Sequence, residues 1–523
     1  MVAGVEIPIN RNATAIQMAE TIFGDGVQVI SASYTGSRNS SGIYTNGDAV
    51  SPGLTPGDTG IMLSTGDLRD FTNSSEQANL SSSTSTNTTG PDGLSDFNAA
   101  AGAPTFDAAI LDVDFIPTGN VMTMQFVFAS EEYPEYAVGA FQDFFGVWIN
   151  GSLVPLSVGD GDIDPNNINA GTNGNLFIDN TNSDFNTEMD GFTLTLTLTI
   201  PVNPDVVNSI RIGIADVADS NYDSTVLIAA NSVQTALVAM DDMATLFPTG
   251  SRIIDVLAND VNATGGTLMI THLNGVPVVA GDIVTLKSGQ QIQLNADGTI
   301  TVVGDGDTEL FNFTYGVASS TGATDVGIVT VDSVPCFVAG TRIRTPEGAV
   351  AVECLRPGDL VLTKDEGAQP LRWIGTRRVQ AIGDFAPIAI AAGTFGRHGA
   401  LRLSPLHRVL IRDSLAELLF GEAEVLVAAR DLVNDHTVRR IEGGEVEYVH
   451  LLFDRHQLIW SEGLLTESFL PGPQAARSFE AAILAEICAL FPAIDPETGA
   501  GYSPAARRTL RPHEARLLAG RAA

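Results

Sequence analysis

The sequence predicts a mainly β protein built from several domains in series. Short runs rich in Val, Ile, Phe and Leu are separated by Gly, Asn, Asp and Pro, which is the pattern of strands joined by turns. Residues 192–200 alternate apolar side chains and threonine with a period of two, as expected for a strand with one buried and one solvated face. A chain of 523 residues is too long for one core, so roughly three or four domains are expected.

The charge of the chain changes abruptly near residue 336. Residues 1–335 contain 6 Lys and Arg against 39 Asp and Glu, a net charge of −33, whereas residues 336–523 contain 21 against 23. The acidic part argues against binding to nucleic acid or to an anionic membrane, and it favours a solvated surface or a binder of cations. Composition alone therefore indicates a domain boundary at this point.

All three cysteines, Cys336, Cys354 and Cys488, follow this boundary, so the front domains contain no disulfide. This cysteine usage leaves both the reducing and the oxidising compartments open. The N-terminal residues lack a basic segment followed by an apolar core, and no apolar run is long enough to span a bilayer. We therefore expect no membrane span and no readable N-terminal signal peptide.

The first cysteine, Cys336, stands in a Val-Pro-Cys-Phe segment. A thiolate is a strong nucleophile, and it can attack the preceding carbonyl through a five-membered ring, which converts the Pro335–Cys336 amide into a thioester. The alternative is that Cys336 is a small buried apolar residue at the start of a strand, as most isolated cysteines are. Pro335 crowds the carbonyl under attack, which favours slow cleavage or none.

Strand and turn patterns at residues 340–348 and 356–363 follow this cysteine. With the Val-Pro-Cys-Phe segment, they resemble the first block of the Hint superfamily, which inteins and hedgehog autoprocessing domains share, and in particular its bacterial Val-Pro-Cys-Phe branch. The resemblance implies an all-β, horseshoe-like autoprocessing domain over residues 334–470, with Cys336 as its nucleophile.

A second block, Ser404-Pro405-Leu406-His407, occupies the place of the family's Thr-x-x-His block. An acyl shift requires a base for the thiol, donors for the oxyanion and an acid for the leaving nitrogen. The resemblance implies that His407 protonates or hydrogen-bonds the scissile nitrogen and that Ser404 helps to hold the amide.

Residues 447–459 resemble the block that brings an acid and a histidine back beside the nucleophile. The resemblance implies His456 as an assisting acid and Asp454 as the partner or base of the thiol. Asp454 lies two residues before His456, so both would point to the same side of an extended strand. His450 has the same parity and can exchange roles with them.

Two departures from the family restrict the expected chemistry. Inteins end with His-Asn, whose asparagine cyclises, whereas this chain has Glu467-Ser468 in that place, and residues 371–378 lack the aspartate with which hedgehog domains activate sterol. Full splicing and sterol transfer are therefore not expected. The expected reaction is a single cleavage at Pro335–Cys336, after which an unknown acceptor, either water, a thiol or an amine, captures the thioester. The alternative is an adhesive or structural protein whose Hint fold is inactive.

Zinc is the other chemistry that these side chains permit, because the cysteines and histidines include soft and borderline ligands. No Cys-x-x-Cys or His-x3-His spacing occurs, so a metal is less favoured than acyl chemistry.

Three segments of the front part, residues 60–67, 128–136 and 214–224, resemble the choice-of-anchor L domain of bacterial exported and surface proteins. The resemblance implies a β-sandwich over residues 1–235, an extracellular or cell-surface location, and an extracellular ligand of unknown identity. It implies no catalytic residues.

Several carboxylates of this domain are hard oxygen donors near strand ends, the ligand type that calcium prefers. They match no EF-hand spacing, and the favoured alternative is a set of solvated or turn-capping acids, with no cofactor required. The calcium candidates are Asp143, Asp216, Asp219 and Asp223, with Glu131 and Glu132 beside them.

Residues 236–333 have the size of an immunoglobulin-like sandwich, and residues 239–242 and 254–260 resemble the cadherin-like repeats of bacterial surface proteins. We expect a second β-sandwich that acts as a spacer. Its aspartates are weaker calcium candidates: Asp241, Asp242, Asp255 and Asp260.

Two further segments carry structural expectations. The Ser/Thr/Asn-rich residues 71–102 predict a long solvated loop. Residues 471–523 predict a short helical extension, with an apolar face at Phe479, Ile483, Ile487 and Leu490. The extension either covers the Hint core or recognises the acceptor, and its solvated helical face is expected to carry Arg507, Arg508, Arg511 and Arg516.

Overall fold

The structure is a computed structural model. It describes residues 2–137, 139, 141–159, 161–246, 251–305, 310–332, 337–381, 386–420, 422–434, 436–469, 491, 503, 505–510 and 515. The chain divides into two compact units. The first contains Met1–Asp242, Ile254–Thr301 and Phe311–Thr330, and the second contains Met243–Ile253, Val302–Leu310 and Val331–Ala523.

Strands dominate both units, and the described helices are short, so the prediction of a mainly β protein is confirmed. No described helix is long and apolar enough to cross a membrane. The predicted helix at residues 479–490, and with it Cys488, lies outside the described residues.

The front domain of the first unit contains these elements: β1 (Ile9–Asn10), α1 (Ala15–Ile22), β2 (Val27–Thr35), β3 (Ser41–Tyr44), α2 (Gly47–Val50), β4 (Gly60–Ser64), α3 (Ser95–Ala101), β5 (Thr105–Pro117), β6 (Val121–Ser130), β7 (Phe144–Ile149), β8 (Ser152–Leu153), β9 (Phe177–Asp179), β10 (Gly191–Thr193), β11 (Leu196–Pro201), β12 (Asn208–Val217) and β13 (Ser224–Ala229).

These strands form two sheets. One has the order β1-β3-β4-β13-β6-β10-β9, with β11 also paired to β6, and the other has the order β2-β5-β12-β7-β8. Apolar side chains from both sheets share one core, in which the rings of Phe126 on β6 and Phe145 on β7 are 5.2 Å apart. The helix α1 begins at a capping box formed by Thr14 and Gln17 and buries Met18 and Ile22 against this core.

The segment predicted as one alternating strand, residues 192–200, is instead divided between β10 and β11, which both pair with β6. Thr193 and Thr197 are buried rather than solvated. The Thr193 hydroxyl accepts the Phe128 backbone N–H at 3.1 Å, so a threonine at this position serves the sheet backbone instead of water.

The prediction of a solvated loop at residues 71–102 is only partly correct. The segment ends with α3, and buried carboxylates hold its irregular part: Glu188 accepts the Leu80 N–H at 2.7 Å, and Asp223 accepts the Thr86 N–H at 2.7 Å. This loop, which is rich in Ser and Thr, packs on the domain because its backbone N–H groups donate hydrogen bonds to the acidic side chains beneath it.

Residues 236–333 form a further group of strands: β14 (Leu237–Val238), β15 (Asp242–Thr245), β16 (Ser251–Ile254), β17 (Val261–Asn262), β18 (Leu268–Leu273), β19 (Val276–Pro277), β20 (Ile283–Thr285), β21 (Gln291–Leu294), β22 (Ile300–Val303), β23 (Phe311–Ser319) and β24 (Thr324–Asp332).

Within the first unit, buried polar contacts join β24 to the front domain. Asp325, on β24, is buried and accepts hydrogen bonds from the Thr123 hydroxyl at 3.0 Å and the Ala239 N–H at 2.8 Å. Of the weaker calcium candidates, Asp260 accepts from the Tyr315 hydroxyl and Asp241 from the Ile328 N–H, so both have structural hydrogen bonds.

The second unit contains these elements from residue 337 onward: β25 (Phe337–Val338), β26 (Arg342–Thr345), β27 (Gly348–Ala351), β28 (Leu360–Thr363), β29 (Gly367–Pro370), β30 (Trp373–Gln380), β31 (Ile388–Ile390), β32 (Leu401–Leu403), β33 (Arg408–Arg412), α4 (Ser414–Phe420), β34 (Glu424–Ala428), β35 (Val438–Arg440), β36 (Glu445–Leu452), β37 (Leu458–Ser461), β38 (Leu464–Glu467) and β39 (Arg508–Thr509).

Two sheets enclose the core of this unit. One has the order β30-β36-β25-β32-β31-β35, and the other has the order β27-β26-β37-β38-β33-β34-β39, with β28 paired to β29 and β37. The strands and turns predicted at residues 340–348 and 356–363 are present as the β26–β27 hairpin and as β28.

The helical face predicted for the C-terminal arginines is wrong for two of them. Arg508 lies in β39, which adds a parallel strand to β34, and Arg507 pairs with Glu424 and Asp365. Edge pairing with β34 and the two ion pairs of Arg507 stabilise this conformation, and the local sequence indicates neither of them. Leu510 and Ala515 join the core, so the described part of the extension covers it.

Asp325 supplies a test of the first unit through pH. Burial raises the pKa of Asp325 to about 8, although hydrogen bonds from Ala239, Val326 and Thr123 oppose the shift. The folded state therefore keeps a proton that the unfolded chain releases near pH 4. The contribution of Asp325 to stability is largest below that pH and is lost as the pH rises to about 8, by an amount on the order of a few kcal/mol.

We expect Asp325→Asn to flatten the dependence of Tm on pH between 5 and 9, because the amide stays neutral. Differential scanning calorimetry of the wild type and the variant measures this. Asp297→Asn, at an exposed turn, is the control and should leave the profile unchanged. Parallel profiles for Asp325→Asn and the wild type would contradict the assignment.

Candidate active site of the second unit

The short strand β25 lies at the centre of one sheet, between β32 and β36. Phe337 is paired in antiparallel register with Leu403 on one side and with Val449 on the other. Its buried ring meets the ring of His407 edge-on, with the ring centroids 4.3 Å apart. Cys336, the predicted nucleophile, and Pro335 lie outside the described residues.

Ser404 and His407 occupy the turn that links β32 to β33, and both are buried. The turn closes when the His407 N–H donates to the Ser404 carbonyl at 3.1 Å, and the His407 carbonyl accepts the Ala429 N–H at 2.9 Å. Backbone hydrogen bonds thus fix the position from which the imidazole enters the core beside Phe337.

His450 lies on β36, one residue after Val449, and it is buried. Its ring meets the ring of Phe469 edge-on, with the centroids 5.8 Å apart. The structure therefore brings His407, Ser404 and His450 to the same end of β25, although more than 40 residues separate the first two from the third.

Asp454 does not join this group. It lies in the turn between β36 and β37, where its side chain is 48% exposed and forms a bidentate ion pair with Arg372, at 2.7 and 2.9 Å. His456 is fully buried two residues later. The expectation that the two side chains share one face of an extended strand is wrong, because the chain turns between them.

His456 uses both of its ring nitrogens. The Ala506 N–H donates to Nδ1 at 2.9 Å, so the ring proton is carried by Nε2, which lies 3.1 Å from the Ser468 carbonyl oxygen and 3.3 Å from a Glu467 carboxylate oxygen. The imidazole is thereby held in one tautomer and one orientation by the C-terminal extension on one side and β38 on the other.

Glu467 is a site residue whose role sequence reasoning missed. It is fully buried, and it accepts the Arg408 backbone N–H at 2.9 Å and the Arg408 guanidinium at 3.2 Å. Burial alone would raise the pKa of Glu467, but the charge of Arg408 and the hydrogen bond from His456 lower it to about 2. One feature of the sequence pointed to it: Arg408 directly follows His407. An arginine at a buried position requires an ionised acid beside it.

The described residues do not bring three or more His, Cys, Asp or Glu side chains into a group that could hold a metal ion. Cys354, one of the soft ligands considered for zinc, is exposed and forms no disulfide.

The calcium candidates of the first unit are divided by the structure. Asp143, Asp216 and Asp223 are buried at one end of the front sandwich, whereas Asp219 is partly exposed and accepts the Asn221 N–H in a turn.

The second unit is rich in strands and buries His407 and His450 beside β25. Residues 335–473 match the model of the Hint domain, and residues 8–234 match the model of the choice-of-anchor L domain. The chain therefore contains a Hint domain and a choice-of-anchor L domain, as the sequence resemblances implied. The second domain is typical of surface or extracellular proteins.

Solved structures show only low overall similarity to the chain. The gp41-1 intein is 13% identical and covers 25% of this chain and 97% of its own, with a TM-score of 0.17, and a substituted form of the same intein gives the same score. The full-length major pilin RrgB from Streptococcus pneumoniae is 9% identical and covers 70% of this chain and 64% of its own, with a TM-score of 0.13. No curated protein matches the chain.

The buried pair of Glu467 and Arg408 predicts a large effect on stability. Glu467→Gln removes the negative charge beneath Arg408, and we expect a loss of about 3 kcal/mol in the free energy of unfolding at pH 7. Asp454→Asn breaks the exposed pair with Arg372 and should cost only about 0.2–1 kcal/mol. Chemical denaturation of both variants measures the difference.

The sign of the pH effect follows from the lowered pKa of Glu467. Its stabilisation is complete above the unfolded pKa of about 4.5 and is lost as the pH falls toward 2. The advantage of the wild type over Glu467→Gln should therefore shrink in that window. Equal losses for Glu467→Gln and Asp454→Asn would contradict the buried pair.

The contact between Ala506 and His456 gives a second prediction. Ala506→Pro removes the N–H that donates to Nδ1, so the ring gains freedom to change tautomer. Nitrogen-15 NMR of the His456 ring should show this change. Ala506→Gly retains the N–H and should keep the wild-type ring shifts, and a wild-type spectrum for Ala506→Pro would refute the contact.

Proposed function

We propose that the Hint domain cleaves its own chain between Pro335 and Cys336 by an N-to-S acyl shift and so releases or transfers the acidic N-terminal modules. The observation that carries the proposal is the position of Phe337, which is paired with Leu403 and Val449 and packed against His407. Cys336 is covalently joined to Phe337, and consecutive Cα atoms are about 3.8 Å apart.

The register identifies the groups nearest to the N-terminal side of Phe337. In antiparallel pairing, the residues that follow Leu403 and Val449 lie toward the N-terminal side of Phe337. Those residues are Ser404, after Leu403, and His450, after Val449. The buried side chains beside the proposed reaction centre are therefore a hydroxyl and two imidazoles, with His407 as the second imidazole.

The proposed reaction uses these groups in order. His450 accepts the thiol proton of Cys336, and the sulfur attacks the Pro335 carbonyl carbon to form a C–S bond. The C–N bond then breaks as His407 donates a proton to the leaving nitrogen, while the Ser404 hydroxyl holds the amide. The products are a thioester and a free amine on Cys336.

This assignment moves the base from Asp454 to His450. The Asp454 carboxylate is committed to Arg372 at the surface, and both ring nitrogens of His456 are hydrogen-bonded, so we give Asp454 no catalytic role. We make His456 a positioning residue that is held by Glu467.

Glu467, which directly follows Thr466, supports a reaction that does not proceed beyond the thioester to splicing. In an intein, an asparagine amide near this place cyclises, whereas Glu467 is an ionised carboxylate bound to Arg408 and His456, and a carboxylate cannot form a succinimide. An external acceptor must then resolve the thioester. A groove of about 490 Å³ bordered by Val338, Thr341 and Arg402 gives such an acceptor access to the strand after Cys336.

The front domain supports a role outside the cell, since the choice-of-anchor L domain is typical of surface or extracellular proteins. Cleavage at Cys336 would detach or transfer a part of net charge −33. The export route and the ligand of the front domain stay open.

A second candidate function is a structural one, in which the Hint fold only caps the protein. The packing of His456 between Glu467 and the extension favours it, because this histidine serves the fold. The two candidates differ in whether the thiol of Cys336 attacks its own chain.

Intact-mass spectrometry of the purified full chain, with and without hydroxylamine or dithiothreitol, decides between them. We expect an active Hint domain to give two fragments, one that ends at residue 335 and one that begins at residue 336. They should form faster with the added nucleophile and be absent from Cys336→Ala. His407→Ala should slow the cleavage by about 10²-fold or more.

Asp454→Asn is the matched control and should cleave at the wild-type rate. An uncut wild-type chain, or fragments that persist in Cys336→Ala, would refute the autoproteolytic function. A large loss of rate in Asp454→Asn would restore the carboxylate as the base.

A further inference from the structure

We propose that the choice-of-anchor L domain binds one calcium ion between Asp143 and Asp216, at the end of the sandwich where β4, β6, β7, β12 and β13 meet. The proposal concerns the first unit and is independent of the chemistry at Cys336.

Strand register brings the two aspartates together. In the antiparallel pair β7–β12, Phe144 is opposite Ala215. One step further along this register, the residue before Phe144 faces the residue after Ala215, and these are Asp143 and Asp216. Two carboxylates that are 73 positions apart in the sequence thus become cross-strand neighbours, with Asp143 almost fully enclosed.

A second register adds hydroxyl groups from the opposite sheet. Ser224 is paired with Ser130, and their hydroxyl oxygens are 2.8 Å apart. The Ser224 N–H donates to the Thr65 hydroxyl oxygen at 3.0 Å. The Ser224 side chain and the Asp216 carboxylate lie within hydrogen-bonding reach of the Asp143 carboxylate, and the Thr65 side chain lies within reach of that of Asp216. Hydroxyls from both edges of β13 therefore line the space around the acids.

The carboxylates themselves are incompletely satisfied. Asp143 is 1% exposed and Asp216 is 2% exposed, yet Asp143 Oδ2 and Asp216 Oδ1 find no hydrogen-bond donor among the described residues. The two carboxylates face each other. An unpaired buried charge is costly, so these oxygens require a proton or a cation. These buried oxygens without a donor distinguish the Asp143–Asp216 pair from an ordinary cluster of surface acids.

The electrostatic surroundings of the pair are acidic. Glu132, Asp223 and Asp107 all face it, and the Glu132 carboxylate accepts the Asp143 N–H at 2.9 Å. The like charges of these buried acids repel one another. A divalent cation removes the same repulsion without protonation.

The donor chemistry favours calcium among the common metals. Calcium takes six to eight oxygen ligands, including carboxylates, hydroxyls and backbone carbonyls, in a flexible geometry, whereas zinc prefers nitrogen and sulfur. The described residues hold no group of three or more acidic, histidine or cysteine ligands. The proposed set is of another kind, because it combines two carboxylates with hydroxyl oxygens.

The structure narrows the four sequence candidates to two. Asp223 already accepts the Thr86 N–H, and its other oxygen packs so closely on Gly66 that a Cβ there would lie 1.8 Å from it. Asp219 caps an exposed turn. Through Asp223, however, the site is linked to the loop at residues 73–90, so calcium binding should also stabilise that loop.

Two carboxylates predict weak affinity, with Kd about 10⁻⁴–10⁻³ M, the range of extracellular calcium modules. Such a site fills where calcium is millimolar and empties in a cytosol. Occupation would then follow export of the protein.

The test uses the full chain with Cys336→Ala, because this substitution prevents cleavage of the chain. Isothermal titration calorimetry with CaCl2 measures binding. Thermal unfolding is compared in EDTA and in 5–10 mM calcium, which is about ten times the expected Kd. We expect one site with the stated Kd, and a rise of a few degrees in the Tm of the front domain at pH 7.5. Magnesium should have a smaller effect.

Asp216→Asn should abolish both responses, and Asp219→Asn is the matched control that should retain them. In EDTA at pH 7.5, Asp216→Asn should unfold no lower than the parent, because the amide removes a buried charge; this separates a lost site from a lost fold. The proposal is overturned if the parent shows no calcium response and its Tm depends on pH only, because protons alone then neutralise the two aspartates. A full calcium response in Asp216→Asn overturns it as well.

Discussion

The pairing of Phe337 with Leu403 and Val449 is the contact on which the second unit depends. β25 has only two residues, yet it joins the turn that carries Ser404 and His407 to the strand that carries His450. Antiparallel register relates residues one by one, so a single pair determines which side chains meet at the end of the strand. The buried ring of Phe337 also packs edge-on against the ring of His407.

Buried carboxylates appear in both units, but they are satisfied in opposite ways. Glu467 has Arg408 and His456 beside it, so its pKa is low and its charge supports the fold. Asp143 and Asp216 face other acids and hydroxyls, so burial and like charges raise their pKa values. A buried carboxylate is thus a stabilising ion in one core and a proposed ligand in the other, because its neighbours differ in charge.

Sequence patterns predicted well what depends on short segments. The β26–β27 hairpin and β28 follow from local turn and strand signals, and the two domain resemblances are confirmed by family matches. Prediction failed where the chain turns or pairs at long range. Asp454 and His456 were placed on one face because a strand was assumed through a turn, and Arg508 was placed in a helix although it pairs with β34.

The sequence by itself determined the β character, the acidic front, the change of composition at residue 336 and the kinds of side chain available for chemistry, because periodicity, charge and residue type are local properties. Only the tertiary structure decided which of these groups are neighbours. Glu467 lies beside Arg408, and Asp143 beside Asp216, through strand registers that join positions 59 and 73 residues apart. Such pairings depend on how whole sheets pack, and no short segment encodes them.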